Sequence, residues 1–232
     1  MAIKTVLFDA GNTLLTPAIP ESQVLSDVAA SFGISIDAAV IEKHVPAMYE
    51  YYEWLFAQDN SVWADEKRAA DIWMSLYYHI LGLLGVCEHV PQIARKGYEI
   101  YLKPSSWTLF DDVMPTLLAL KSRNIPVGIV SNWDCSLEGI IEGLGLRHGF
   151  EVVLSSAAVG LYKPQPEIFE LALSELGVNK EESMYVGDHI DADVGGSLNA
   201  GMTAVLIDRE NRHADSGGFI RVRDLREILE YL

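Results

Sequence analysis

Ile3 to Phe8 form a nearly unbroken apolar run that stops at Asp9 and a Gly-Asn turn, within the stretch IKTVLFDAGNTLL. That is the pattern of a short central strand of a parallel sheet, buried on both faces, and it leaves a carboxylate at the strand's end. Thr16-Pro17-Ala18-Ile19-Pro20 is a proline-punctuated linker, after which the period turns helical until about Pro104. Helices are predicted over Glu21 to Phe32, stopping at Gly33, and over Asp37 to Ala57, with Pro46 inside. Two more are predicted over Asp65 to Leu84, stopping at Gly85, and over Glu88 to Leu102, ahead of Pro104. Asp37 and Asp65 are candidate N-caps.

From Trp107 the pattern alternates. Helices are predicted over Asp112 to Arg123, Ser136 to Gly143, Pro166 to Leu176, Asp193 to Ala200 and Leu225 to Leu232. Strands are predicted over Pro126 to Val130, Glu151 to Leu154, Ser183 to Val186 and Thr203 to Ile207. Strand, helix, strand in this order means an α/β protein with a parallel sheet, right-handed crossovers and helices on both faces. Residues 1–16 and 105–232 form that core, and 17–104 form an inserted all-helical module. The module is dense in aromatics, from Tyr49 to Tyr78, most of which fill its core while a minority can face a crevice and select substrate.

The chain has 232 residues, half of them apolar, enough to bury a sizeable core. Its net charge of −16, with no basic stripe, argues against nucleic acid and acidic membrane surfaces as partners. Cys87 and Cys135 are far apart and show no metal-ligand spacing, so neither a disulfide framework nor a zinc site is expected. With no signal-peptide pattern and no apolar run long enough to span a bilayer, a reducing cytoplasm is the expectation.

Three later strand ends are polar, as Asp9 is. VGIVSN places Ser131 and Asn132 where a hydroxyl, an amide and backbone N–H groups can hold phosphoryl oxygens. VGLYKPQPEIF sets Lys163 ahead of a helix start, where an ammonium can offset a phosphate and an attacking carboxylate. MYVGDHIDAD ends a strand at Gly187-Asp188, with Asp191 and Asp193 close behind; such crowded acids call for a cation, and Mg2+ suits an all-oxygen set. Each feature alone is an ordinary turn or helix start; their coincidence is the signal. Gly143, Gly145 and Gly149 follow a helix with the wrong spacing for a dinucleotide fingerprint.

The ordered set FDAGNTL, VSN, KPQPEIF and VGDHIDADVGGSLNAGM resembles the haloacid dehalogenase-like hydrolase superfamily, in the subgroup whose helical cap follows the first motif. WDCSLEGIIEGLGLRHGF is similar to the branch of haloacid dehalogenase-like domain-containing proteins and some bacterial phosphatases. The resemblance implies a Rossmann-like three-layer α/β/α core with a helical cap. It makes Asp9 the nucleophile that forms an aspartyl-phosphate, and Ser131 and Lys163 the phosphoryl-binding pair. Asp9, Asp188, Asp193 and the Gly11 carbonyl become the Mg2+ ligands.

One position departs. Phosphatases of this kind carry a second Asp two residues after the nucleophile as general acid and base, and here that position is Gly11. Three readings stay open: a Mg2+-dependent phosphatase acting on a small phosphorylated molecule, a carbon–halogen hydrolase, and a degenerate member that binds a phosphorylated ligand or a partner.

Overall fold

The computed structural model describes residues 2–213 and 218–232. Strand β1 (Thr5–Phe8) leads into β2 (Leu15–Pro17) and then a run of helices, α1 (Glu21–Ala30), α2 (Ala38–Glu42), α3 (Val45–Gln58), α4 (Glu66–Leu83) and α5 (Val90–Tyr101). The chain returns through β3 (Trp107–Leu109), α6 (Val113–Ser122), β4 (Val127–Ser131), α7 (Leu137–Gly143), β5 (Val152–Ser155) and the short α8 (Ser156–Val159). It closes with α9 (Pro166–Leu176), β6 (Ser183–Gly187), α10 (Gly196–Asn199), β7 (Thr203–Ile207) and β8 (Ile220–Val222).

Six strands make one parallel sheet in the order β5-β4-β1-β6-β7-β8. The residues of β1 are fully buried, which is why the run reads as apolar throughout instead of alternating. Val6 and Phe8 join Ile129, Val186 and Val205 on one face of the sheet, while Leu7 joins Val130, Phe169 and Tyr185 on the other. Helices α1, α4 and α5 gather around their own core of Val24, Leu25, Leu76, Ile80, Leu81 and Ile93. A third group, Phe56, Trp63 and Ala69 with Ala192, joins the helical module to the sheet side next to the acidic loop.

Asp37 and Asp65 cap as expected, accepting from the backbone N–H of Ala39 and Arg68 at 2.8 and 2.9 Å. Several expectations change. The helix predicted over Asp37 to Ala57 is two, because Pro46 brings no N–H and disfavours helix just before it, so it sits in the first turn of a new helix. The proline-punctuated linker is partly strand: β2 pairs antiparallel with β3, so the two connections to the helical module are tied to each other. Pro17 is tolerated there because this ladder is short and all edge. β8 was not anticipated, being only three residues long. The segment Leu225–Tyr231 is a 3-10 helix, started by an Asp224–Glu227 capping box. The helix predicted over Asp193 to Ala200 begins earlier, as a wide π turn over Ile190–Gly195, and only then becomes α10.

Gly128 in β4 sits where β1, β4 and β5 crowd together; a Cβ there would lie 2.4 Å from Val152 Cγ1 and 2.8 Å from Leu7 Cδ2. Gly128→Ala should therefore cost about 1–3 kcal/mol by overpacking. Chemical unfolding measures this, and a stability equal to the parent chain would contradict the close fit.

Candidate active site

β4, β1 and β6 are neighbours running in the same direction, so their carboxyl ends open onto one edge of the sheet. This is where connections diverge to opposite sides of β1, the crevice in which open α/β sheets bind ligands. Ser131, Asp9 and Asp188 stand at those three ends. Lys163 reaches the same place from the loop ahead of α9, and Asp193 from the turn after β6.

Lys163 Nζ lies 2.6 Å from Asp9 Oδ1 and 2.6 Å from Asp193 Oδ1, and 2.9 Å from the hydroxyl of Tyr185. Its side chain is 2 % exposed. Ser131 Oγ donates to the same Asp9 oxygen at 2.8 Å. Asn132, expected at a phosphoryl group, instead clamps the main chain of Lys163: its Oδ1 accepts from the Lys163 N–H at 2.8 Å and its Nδ2 donates to the Lys163 carbonyl at 3.0 Å. The Asn132 amide thus positions Lys163 from both ends, with its second Nδ2 N–H left over for a ligand.

Asp9, Asp188 and Asp193 each present a carboxylate oxygen within 4.8 Å of the others. Three carboxylates against one ammonium leave an uncompensated charge of about −2 in a largely buried space, which is costly unless a cation balances it. Burial pushes Asp188 up to about 8, with the charges of Asp9 and Asp193 adding to the effect. Asp9 is raised too, chiefly by burial, against the pull of Lys163 and Ser131. Burial would lower the Lys163 ammonium, but Asp193 and Asp9 outweigh it and hold the charge. Lys163 takes up one oxygen each of Asp9 and Asp193. Among the described residues, neither Asp9 Oδ2 nor the Asp188 carboxylate accepts a hydrogen bond from the protein, while Asp193 Oδ2 is taken by the His189 N–H at 2.9 Å. The donor set is all oxygen and anionic, and it fits a hard divalent ion such as Mg2+.

Sequence patterns missed several contributors. Tyr185 looks like a core residue of a buried strand, yet its hydroxyl donates to Val130 O at 2.6 Å and accepts from Lys163. Gly187 lets Asp193 lie against the strand, since a Cβ there would come within 2.3 Å of that carboxylate. Arg209 pins the loop after Asp9, donating to Thr13 O at 2.7 Å and pairing with Asp112 at 2.7 Å. None of these has a local signature.

Of three residues that could stand in for an acid at position 11, Asp134 and His189 have side chains engaged elsewhere. Asn12 takes a left-handed turn conformation, at φ 54°. Asp134 accepts from Tyr98 and from the Ser136 backbone and hydroxyl. His189 Nδ1 accepts the N–H groups of Asp191 and Ala192, and its ring lies against Phe56 and 3.2 Å from Glu53 of the helical module. Position 11 itself faces Trp133: a Cβ on Gly11 would sit 3.3 Å from that indole.

The parallel sheet of this α/β protein carries the cluster at its switch point, and the family model for haloacid dehalogenase-like hydrolases matches residues 3–201. The chain belongs to that family. It is 28 % identical over 209 residues to the human haloacid dehalogenase-like hydrolase domain-containing protein 3, covering 89 % of this chain and 82 % of that one. It is 29 % identical over 244 residues to a phosphoserine phosphatase of Thermus thermophilus, covering 97 % and 98 %. The L-2-haloacid dehalogenase of Xanthobacter autotrophicus shares the fold, with a TM-score of 0.70 and 21 % identity over 98 % of this chain and 97 % of that one.

Because Asp188 is raised toward about 8, the folded chain without metal holds a proton there that the unfolded chain releases. Stability from this group is full below the ordinary carboxylate range and is lost as pH rises toward about 8. In chelator, the melting temperature of the parent chain relative to Asp188→Asn should fall between about pH 5 and pH 8, and Mg2+ should raise it more at the higher pH. An equal Mg2+ shift in Asp188→Asn would place the ion elsewhere.

Proposed function

We propose that this chain is a Mg2+-dependent phosphatase that acts on a small phosphorylated metabolite through an aspartyl-phosphate. The observation that carries the reading is Asp9, its Oδ1 fixed by Lys163 and Ser131 at the edge of a carboxylate cluster. Asp9 attacks phosphorus in line, an oxygen–phosphorus bond forms, and the bond to the leaving oxygen breaks with its electron pair. Water then attacks the phosphorus of the aspartyl-phosphate, releasing inorganic phosphate and restoring Asp9. Lys163 and Ser131 hold the carboxylate during attack and face the charge that develops on the phosphoryl group. Asp9, Asp188 and Asp193, with the Gly11 carbonyl, would hold Mg2+, which when bound offsets negative charge on the phosphoryl oxygens.

Gly11 has no proton to give, so the leaving oxygen takes its proton from solvent. Positioned acids contribute about 10²–10⁴-fold, and losing one is felt least by leaving groups that are stable as anions. Acyl and aryl phosphates should therefore outrun alkyl ones. The carbon–halogen reading has Gly11 in its favour, but it leaves the carboxylate cluster, arranged as if for a cation, without a use. The phosphatase named among the relatives matches nearly end to end, which supports the phosphoryl reading. No helix among the described residues is long and apolar enough to cross a membrane, and the free, exposed Cys87 and Cys135 fit a reducing cytoplasm.

Hydrolysis of acetyl phosphate and p-nitrophenyl phosphate should be stimulated by Mg2+ and fall at least about a thousandfold in Asp9→Asn. Full activity in chelator, an undiminished variant, or halide release from 2-haloacids in its place would reject the reading. Gly11→Asp should raise alkyl phosphate turnover relative to p-nitrophenyl phosphate. The gain should stay under about 10²-fold, because the new side chain has to push the Trp133 ring aside. An unchanged ratio in a folded variant would show that the missing acid does not limit the reaction.

A further inference from the structure

A narrow slot lies between the helical module and the sheet side, with a cavity volume of about 20 Å3, room for one small group, and it is partly open to solvent. Six aromatic rings line it, among them Tyr98, Tyr101, Trp107 and Trp133, together with two carboxylates, Glu21 and Asp134. Leu102 completes the lining, which contains no basic side chain. The slot adjoins the nucleophile's loop, since Trp133 packs at 3.3 Å from the Cβ position of Gly11, two residues past Asp9. Tyr49 continues the crevice: its hydroxyl donates to Glu21 at 3.3 Å, and the charges of both Glu21 and Asp188 act on it.

Four of the six rings have spent their polar atoms on the protein. Tyr98 donates to Asp134 at 2.8 Å, Tyr101 to Ile19 O at 3.4 Å, Trp107 to Tyr101 O at 2.8 Å and Trp133 to Ser136 Oγ at 3.2 Å. What they offer a ligand is carbon surface and ring faces, which attract cations. Asp134 is satisfied by three donors. Among the described residues Glu21 has only the long bond from Tyr49, in surroundings that push its carboxyl up to about 7 through burial. An under-partnered carboxylate among aromatic rings is complementary to an organic cation; a neutral apolar group would leave it buried and unmatched.

We infer that this slot receives an ammonium group carried by the leaving group of the substrate, with Glu21 as its counter-charge and the rings as its walls. The inference rests on the phosphatase reading for the reaction and adds the substrate's class: a phosphate ester of an amine-bearing alcohol or phenol. It also suits an acidic protein, because a zwitterionic ester meets less repulsion from the net charge of −16 than a plain phosphate does.

Esters compared in matched pairs separate this charge effect from leaving-group stability. 4-(2-Aminoethyl)phenyl phosphate should exceed 4-propylphenyl phosphate in kcat/KM by about tenfold or more, and 2-aminoethyl phosphate should exceed propyl phosphate likewise. Glu21→Gln, shown folded by circular dichroism, should cut the ratio at least severalfold. A ratio near or below one in the parent chain, or a ratio unchanged in Glu21→Gln, overturns the inference while p-nitrophenyl phosphate turnover upholds the phosphatase reading. If p-nitrophenyl phosphate is not turned over, that reading falls and calorimetry decides this one. Heat from phenethylammonium that weakens in Glu21→Gln upholds the slot, and no heat, or equal affinity for 2-phenylethanol, overturns it.

Discussion

The site depends on one buried ammonium. Lys163 is drawn out of water to 2 % exposure and survives there as a cation because two carboxylates lie 2.6 Å from it. Desolvating such a charge costs several kcal/mol, and a pair recovers this only with good geometry and satisfied neighbours. Tyr185 supplies the third partner and Asn132 fixes the backbone that carries the side chain. The same contacts orient Asp9 and Asp193 from opposite sides. The ammonium that keeps the core charge tolerable also fixes Asp9 Oδ1, and among the described residues the other Asp9 oxygen accepts no hydrogen bond.

That ammonium does not complete the balance. With all three acids ionised two negative charges remain over, and they are concentrated where β1 and β6 end side by side. The sheet imposes this crowding, since the ends of neighbouring parallel strands lie only about 5 Å apart. Gly187 tightens it further by letting the Asp193 carboxylate pack against the strand. The demand for a counter-charge is therefore a consequence of the topology as much as of the residue types.

Asp9, Ser131 and Asp188 were legible in the sequence because strands announce themselves as apolar runs, and a polar residue at the end of such a run is conspicuous; Lys163 and Asp193 stood out from the proline-punctuated and acid-rich segments around them. The sheet was legible for the same reason, apart from β8, whose three residues are too few for a pattern. The β2–β3 ladder was hidden because its strands are 90 residues apart in a proline-rich context and are defined only by pairing. Tyr185, Arg209 and the clamp made by Asn132 were hidden because their roles come from tertiary neighbours, not from spacing. The π turn after His189 was misread as an ordinary helix start. An acid-rich, Gly-containing segment satisfies the same cues, and only the His189 ring capping Asp191 and Ala192 reveals the wider turn.

Gly11 ties reaction scope to leaving-group selection. In a family whose phosphatases carry an acid at this position, its replacement by glycine removes a proton donor and also clears the volume that the Trp133 ring approaches. That ring is a wall of the aromatic slot and packs against Trp107, whose strand closes the base of the helical module. Restoring a carboxylate at position 11 would move the ring by a few tenths of an ångström and disturb the slot beside it. The missing acid and the aromatic wall are thus one structural feature: what the chain gives up in general catalysis on poor leaving groups, it can recover by holding a particular leaving group in place.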